Sequence, residues 1–201
     1  PQASLAAVIM IAVVGLFNLR VFKQTWKVQP QDGAVAIITF VLTLVFAPHL
    51  DRAIIAGVLL SLGLFLFRTM KPRVALLSRH PDGSMRDAQV HNLQTCPNIS
   101  VIRFDGSLYF QNTSYFEYTI IGRLAIKPEL RFVIVVAEGI NQLDATGEEM
   151  LRHVTERLST NGIEVLFARV KKQIMEVLEL AQFIEHFGHW RFFSRLDFWY
   201  S

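Results

Sequence analysis

The chain has one cysteine, Cys96, in 201 residues. That excludes an internal disulfide and any cysteine-built zinc cluster, and Cys96 is most simply a passive thiol. Charge is scarce as well. Asp, Glu, Lys and Arg make up 18% of the chain, against about 25% in ordinary soluble proteins, while hydrophobic residues make up 52%. The histidines are scattered: His186 and His189 are three apart, but no carboxylate or thiol completes a ligand set around them. The chain also lacks a Gly-rich phosphate loop, a nucleophile elbow and an HExxH pair. Glu148 and Glu149 are explained by the preference of a first helical turn for negative charge. These residues point to no enzyme, no metal and no cofactor.

What charge there is falls unevenly. Residues 1–73 hold seven Lys/Arg against two Asp/Glu, and residues 74–201 hold thirteen against fifteen. The basic balance therefore belongs to the apolar front, which argues against a nucleic-acid partner. The chain begins at Pro1 rather than at a methionine, as a fragment or a processed product would.

Residues 3–19 are uncharged and as a helix would be about 26 Å long, slightly under the roughly 30 Å of a hydrocarbon core. Arg20, Lys23 and Lys27 follow this run rather than precede it, which favours a membrane helix over a signal peptide. After a polar break around Pro30 come two more apolar runs, 34–47 and 53–67, separated by Pro48–Arg52. Each would be about 22 Å long, the expectation for a membrane hairpin packed against other helices. Ala53, Gly57 and Ser61 recur every four residues and offer one face for close helix contact, or are ordinary small residues facing lipid. Lys and Arg cluster after the first run and after Phe67, which places both regions in the cytosol and gives three spans with an outside N-terminus.

From residue 71 onward the pattern changes to a soluble unit. Val74–Leu77 and Ile99–Phe110 read as strands, with a Pro81-Asp82-Gly83 turn between them and Asp105-Gly106 interrupting the second. Phe116, Ile120 and Leu124 form a helical stripe ending before Pro128. Phe132–Ala137 reads as a strand covered on both faces. Asn161-Gly162 closes the helix that follows it, Val165–Ala168 is another strand, and Ile174, Val177, Leu178 and Ala181 mark a last amphipathic helix. The alternation predicts an α/β domain, a mixed sheet with packed helices. The tail aromatics, Trp190, Phe192, Phe193, Phe198, Trp199 and Tyr200, either close the sheet edge or form an exposed patch.

One position carries a sharper alternative. Thr146 has capping-box spacing to Glu149 at the start of the helix after the central strand. This geometry can hold an anion, because backbone N–H groups point outward there. The bland role for Thr146 is a cap whose hydroxyl accepts from a backbone N–H.

The stretch from Gly139-Ile140-Asn141 into Asp144-Ala145-Thr146-Gly147 resembles the signature of STAS domains, shared by sulfate transporters and anti-sigma-factor antagonists. PQASLAAVIMIAVVGLFNLRVF looks like the antepenultimate membrane helix of the SulP anion transporters. IIAGVLLSLGLFLFRTMKPRVALLSR looks like their last membrane helix running into the STAS linker, and IRFDGSLYFQN and DATG complete the series. Glu138 departs from the family's usual small residue, and the chain stops before the helix that usually ends the domain. The resemblance implies that residues 1–70 are gate-domain helices in the bilayer and residues 71–201 a cytoplasmic STAS domain with its linker. It also implies a secondary carrier for an anion of the sulfate, bicarbonate or dicarboxylate class, working as a homodimer. The anion site of such carriers lies in core-domain helices that this chain does not contain, so no substrate-binding residue is expected here. The remaining transporter helices and a cytosolic protein would be partners of these segments. In the antagonists, the position matching Thr146 is phosphorylated by a partner kinase, with Asp144 and Gly147 beside it. A phosphate there would add nearly two negative charges near Asp144, Glu148 and Glu149. The alternative expectation is a membrane-anchored STAS regulatory module working by protein binding.

Overall fold

The computed structural model describes residues 2–16 and 19–194. It divides into two compact units, residues 1–66 and 67–201.

The first unit is helical: α1 (Gln2–Leu16), α2 (Leu19–Val28), α3 (Pro30–Val45) and α4 (Leu50–Met70), the last running past the boundary between the units. The region around Pro30, expected as a break, is the first turn of α3. Proline is favoured at N1, where its missing N–H costs nothing, and Gln29 before it is extended. The expected 53–67 run lengthens to the 21 residues of α4, about 31 Å of helix. Asp51 in its first turn and Arg68 in its last suit the helix dipole, so polar residues expected to end the run extend it instead. Among the described residues α4 is the one helix long and apolar enough to cross a membrane, with shorter apolar helices over Gln2–Ala12 and Pro30–Val45. Arg20, Lys23 and Lys27, expected between the first and second apolar runs, lie on a helix of their own, the amphipathic α2.

Ala53 is fully buried and Gly57 is buried. A Cβ added to Gly57 would lie 2.7 Å from Thr39 Cγ2 and 3.1 Å from Thr39 Oγ1, so α3 and α4 meet where glycine removes the obstruction. Ser61, one turn further along, is exposed.

The second unit is a sheet with packed helices. Its elements are β1 (Arg73–Arg79), β2 (Met85–Asp87), β3 (Ile99–Asp105), α5 (Thr113–Ile126), β4 (Phe132–Val136), α6 (Ala145–Thr160), β5 (Glu164–Ala168), α7 (Lys172–Leu180), α8 (Phe183–Phe187) and β6 (Phe192–Phe193). Among the described residues the strand order is β2-β1-β3-β4-β5-β6. β1 pairs antiparallel with β2 and β3, and β3 through β6 run parallel. This is the expected mixed sheet. The parallel strands are joined by helices, as parallel pairing requires.

β4 is buried on both faces. Val133 and Val135 join a cluster with Phe104, Phe116, Leu151, Val154, Leu158 and Phe183, while Ile134 and Val136 join one with Val101, Leu77 and Leu166. The Phe104 and Phe116 rings meet edge to face at 4.9 Å, an arrangement aromatic pairs favour.

β3 ends at Asp105, not at Phe110 as expected. Past Gly106 the chain leaves the ladder, keeping one bridge from Leu108 to Leu143. In the tail, Phe192 stacks on Phe167 at 5.2 Å, so Phe192 and Phe193 do close an edge of the sheet. Arg191, buried, donates to the carbonyls of Phe187 and Val165 and pairs with Glu164 at 2.5 Å. Trp190 is exposed, and Phe198, Trp199 and Tyr200 lie outside the described residues.

The β1–β2 hairpin turns at Gly83, whose φ of +83° favours glycine. Asp82 accepts from the hydroxyl and N–H of Ser84, which with His80 and Arg86 hold its carboxyl far below the usual range. For Asp87, partial burial works to raise the pKa, and the N–H groups of Gln89 and Val90 together with Arg73 outweigh it and lower it. A carboxyl lowered in the folded state contributes stability above the ordinary carboxylate pKa and loses it as pH falls through its lowered value. On acidification below about pH 4, amide protection of β2 should therefore be lost before that of β4. In the Asp82→Asn, Asp87→Asn double variant, hydrogen exchange of β2 should no longer depend on pH beyond the intrinsic exchange rate.

Candidate functional site

Two sequence stretches far apart in the chain fold against each other at the C-terminal ends of the parallel strands. One follows β3 (Gly106–Asn112) and the other links β4 to α6 (Ala137–Asp144). The Leu108 N–H donates to the Gln142 carbonyl at 2.9 Å, and the Asp144 N–H donates to the Leu108 carbonyl at 3.1 Å. Tyr109 and Gln142 are joined through their side chains. Asn112 braces the first stretch: its Oδ1 accepts from the Tyr109 N–H, and its Nδ2 donates to the Ser107 and Thr69 carbonyls.

Glycine is required at two points of this junction. A Cβ on Gly139 would sit 2.3 Å from the Phe104 carbonyl oxygen, and one on Gly147 would sit 2.8 Å from that of Leu108. These are backbone atoms that cannot turn aside as a side chain would.

The cap of α6 is Asp144, not Thr146. Asp144 Oδ1 accepts from the Gly147 N–H at 2.7 Å, and Oδ2 accepts from the Phe110 N–H at 2.9 Å. The helix therefore starts two residues before the register that capping by Thr146 would need. An aspartate in extended backbone is a strong N-cap, and Asp144, at φ −92° and ψ 174°, has that geometry. Thr146 falls at the second helical position, exposed, and among the described residues its hydroxyl has no hydrogen-bond partner. Glu149 is exposed beside it, while Glu148 pairs with Arg152 at 2.7 Å. The carboxylate of Asp144 thus already takes a donor that a bound anion would use. What remains on the surface is a free hydroxyl beside acidic side chains.

Glu138 forms an ion pair with Arg169 at 2.8 Å. Arg103 reaches Asp105 through two hydrogen bonds, which raise the pKa of its guanidinium. Lys171 and Gln173 both reach Asn141. Away from the junction, Lys127 donates to the Cys96 and Ile99 carbonyls, and burial lowers its pKa. Cys96 is partly buried. Among the described residues no group of His, Cys, Asp or Glu has the arrangement to hold a metal ion.

The junction thus unites Asp144, Thr146 and Gly147, but in unequal roles. The link from Asp144 to Phe110 was not anticipated. The available signal was an aspartate three residues before a glycine, a spacing that fits an N-cap and a closely packed N3.

Comparison with known proteins agrees with this architecture. The family model for the STAS domain matches residues 91–198, and the chain belongs to that family. Beyond the domain, the chain is similar over nearly its whole length to plant sulfate transporters. It is 27% identical to probable sulfate transporter 4.2 of Arabidopsis thaliana over 98% of this chain and 30% of that protein. It is 24% identical to high affinity sulfate transporter 2 of Stylosanthes hamata over 96% of this chain and 30% of that protein. The chain thus spans about 30% of the length of these curated relatives. Among solved structures, the murine solute carrier 26 family member A9 anion transporter in its inward-facing state has the same fold over 87% of this chain and 28% of that one. The TM-score is 0.76 at 17% identity.

Removing the cap should matter more than removing the exposed hydroxyl. Asp144→Ala should cost about 1–2 kcal/mol in urea denaturation of the STAS unit, with more protection restored by Asp144→Asn. Thr146→Ala should stay within about 0.5 kcal/mol.

Proposed function

We propose that this chain is the C-terminal part of a secondary anion transporter of the sulfate-transporter kind. In this reading α1, α3 and α4 lie in the bilayer as gate-domain helices, and the STAS domain hangs in the cytosol. The observation that carries it is the apolar surface left uncovered on those helices. Leu5, Val8, Ile9, Ile54, Ile55 and Leu59 are each more than half exposed. Similarity to sulfate transporters runs through the same residues. In water such a surface is costly; against lipid tails and further helices it is at home.

In this role the chain supplies structure rather than chemistry. Anion sites in such carriers need helix N-termini converging near the bilayer midplane, and α1, α3 and α4 offer no such pair among the described residues. The close α3–α4 contact at Ala53 and Gly57 fixes one hairpin of the gate, with Ser61 left for a neighbouring helix. The STAS domain regulates the carrier, helps it to dimerise, or docks a cytosolic protein.

The topology is tested with the chain's own thiol. In right-side-out vesicles an impermeant maleimide should label Cys96 only after permeabilisation. A His49→Cys, Cys96→Ser variant should be labelled without it. The opposite pattern would overturn the placement. Reconstituted alone, the chain should show no sulfate uptake, and specific flux would contradict its supporting role.

A second reading is favoured by the exposure of the Thr146 hydroxyl. Here the chain is a membrane-anchored regulatory module, and a kinase modifies Thr146 to change how a partner docks. Intact-mass measurement on protein from its own host should then find one phosphate, lost in Thr146→Ala. Unmodified protein in every growth condition would remove this reading.

A further inference from the structure

Helix α2 has two chemically unlike sides. At 3.6 residues per turn, Arg20, Lys23 and Lys27 fall within about 60° of arc. All three are exposed, and the helix contains no acidic residue to pair with them. Val21, Thr25, Trp26 and Val28 lie around the rest of the helix, and Val21 and Val28 are 56% and 71% exposed. The basic side is unsuited to hydrocarbon and the apolar side to bulk water. A helix of this kind is most stable lying in the boundary between them.

The junction with α3 supports that placement. Gln29, at φ −143° and ψ 92°, breaks the helical path between α2 and α3. Trp26 lies against the first turn of α3, close enough that a Cβ on Gly33 would be 2.5 Å from its Cε3 atom. Tryptophan is favoured at the level of lipid headgroups. Here the indole sits where an apolar helix, α3, begins.

We propose that α2 is a headgroup anchor: Arg20, Lys23 and Lys27 hold the phosphate groups of anionic lipids on the leaflet where α3 begins, while the Val21–Val28 side dips below them. This rests on the membrane placement proposed above. Charge complementarity decides the occupant, since three cations on one arc meet a sheet of fixed anions. A basic residue near such a surface gains about five-fold in association.

The test is lipid selectivity by electron paramagnetic resonance. The full chain is reconstituted in phosphatidylcholine vesicles carrying a trace of spin-labelled phosphatidylglycerol or, separately, spin-labelled phosphatidylcholine. The motionally restricted fraction gives the relative association of the two lipids. Phosphatidylglycerol should be preferred about five-fold. The preference should fall to near one in the Arg20→Gln, Lys23→Gln, Lys27→Gln variant. It should fall likewise for the unmodified protein in about 1 M salt, where screening acts within about 3 Å; this second measurement does not depend on the variant's folding. Equal association of the two lipids would overturn the proposal. So would a preference that survives the triple substitution and disappears only in Lys71→Gln, which would assign it to the foot of α4. Displacement of labelled phosphatidylglycerol by millimolar inorganic phosphate would make this a free-anion site and overturn it too. Absence of any restricted lipid, of either kind, would instead refute the membrane placement itself.

Discussion

The STAS unit depends on one carboxylate that serves two parts of the chain. Asp144 caps α6 through the Gly147 N–H and also takes the N–H of Phe110, from a loop more than thirty residues earlier. Without it, two backbone donors at the ends of parallel strands would need water or another acceptor. Hydrogen bonds to a charged acceptor are about twice as strong as neutral ones. The same contact fixes where α6 begins, and so which of its residues, Met150, Leu151, Val154 and Leu158, turn into the core. Gly139 and Gly147 then allow the backbone to close around it.

This arrangement changes the meaning of Thr146. A threonine that capped the helix would have its hydroxyl committed to the backbone and turned inward. With the aspartate in that role, the threonine is surplus to the fold. A residue that stability does not need is available to a modifying enzyme or a docking partner. Glu148, held by Arg152, and the exposed Glu149 set the local field that any added charge would meet.

Much of this fold was legible in the sequence, for reasons specific to certain residues. The apolar run Phe132–Ala137 between polar turns left little choice but a fully covered strand, and Asn161-Gly162 ended α6 where a left-handed glycine was needed, at φ +72°. Short elements were harder. β2, with three residues, and α8, with five, carry too little periodicity to register, and tertiary pairing decides them. Helix ends are hard to place where polar residues look like breaks. Pro30 and Asp51 lie inside first helical turns, which tolerate or prefer them. The motif around Asp144 was visible, but not its internal roles. Threonine and aspartate both cap helices; here Asp144 does so by accepting from the Gly147 N–H, and the distant Phe110 N–H holds the same carboxylate in place.

The link between α4 and β1 consists of Lys71 and Pro72 alone. Two residues reach at most about 7 Å, and one of them has its φ fixed by a ring. Pro72 is also pressed against Gly106, where a Cβ would be 2.7 Å from its own, and Asn112 holds the Thr69 carbonyl just before it. Thr69 and Pro72 thus belong physically to the sheet unit: the last residues of α4 are fastened to the loop after β3, and β1 starts from an anchored end.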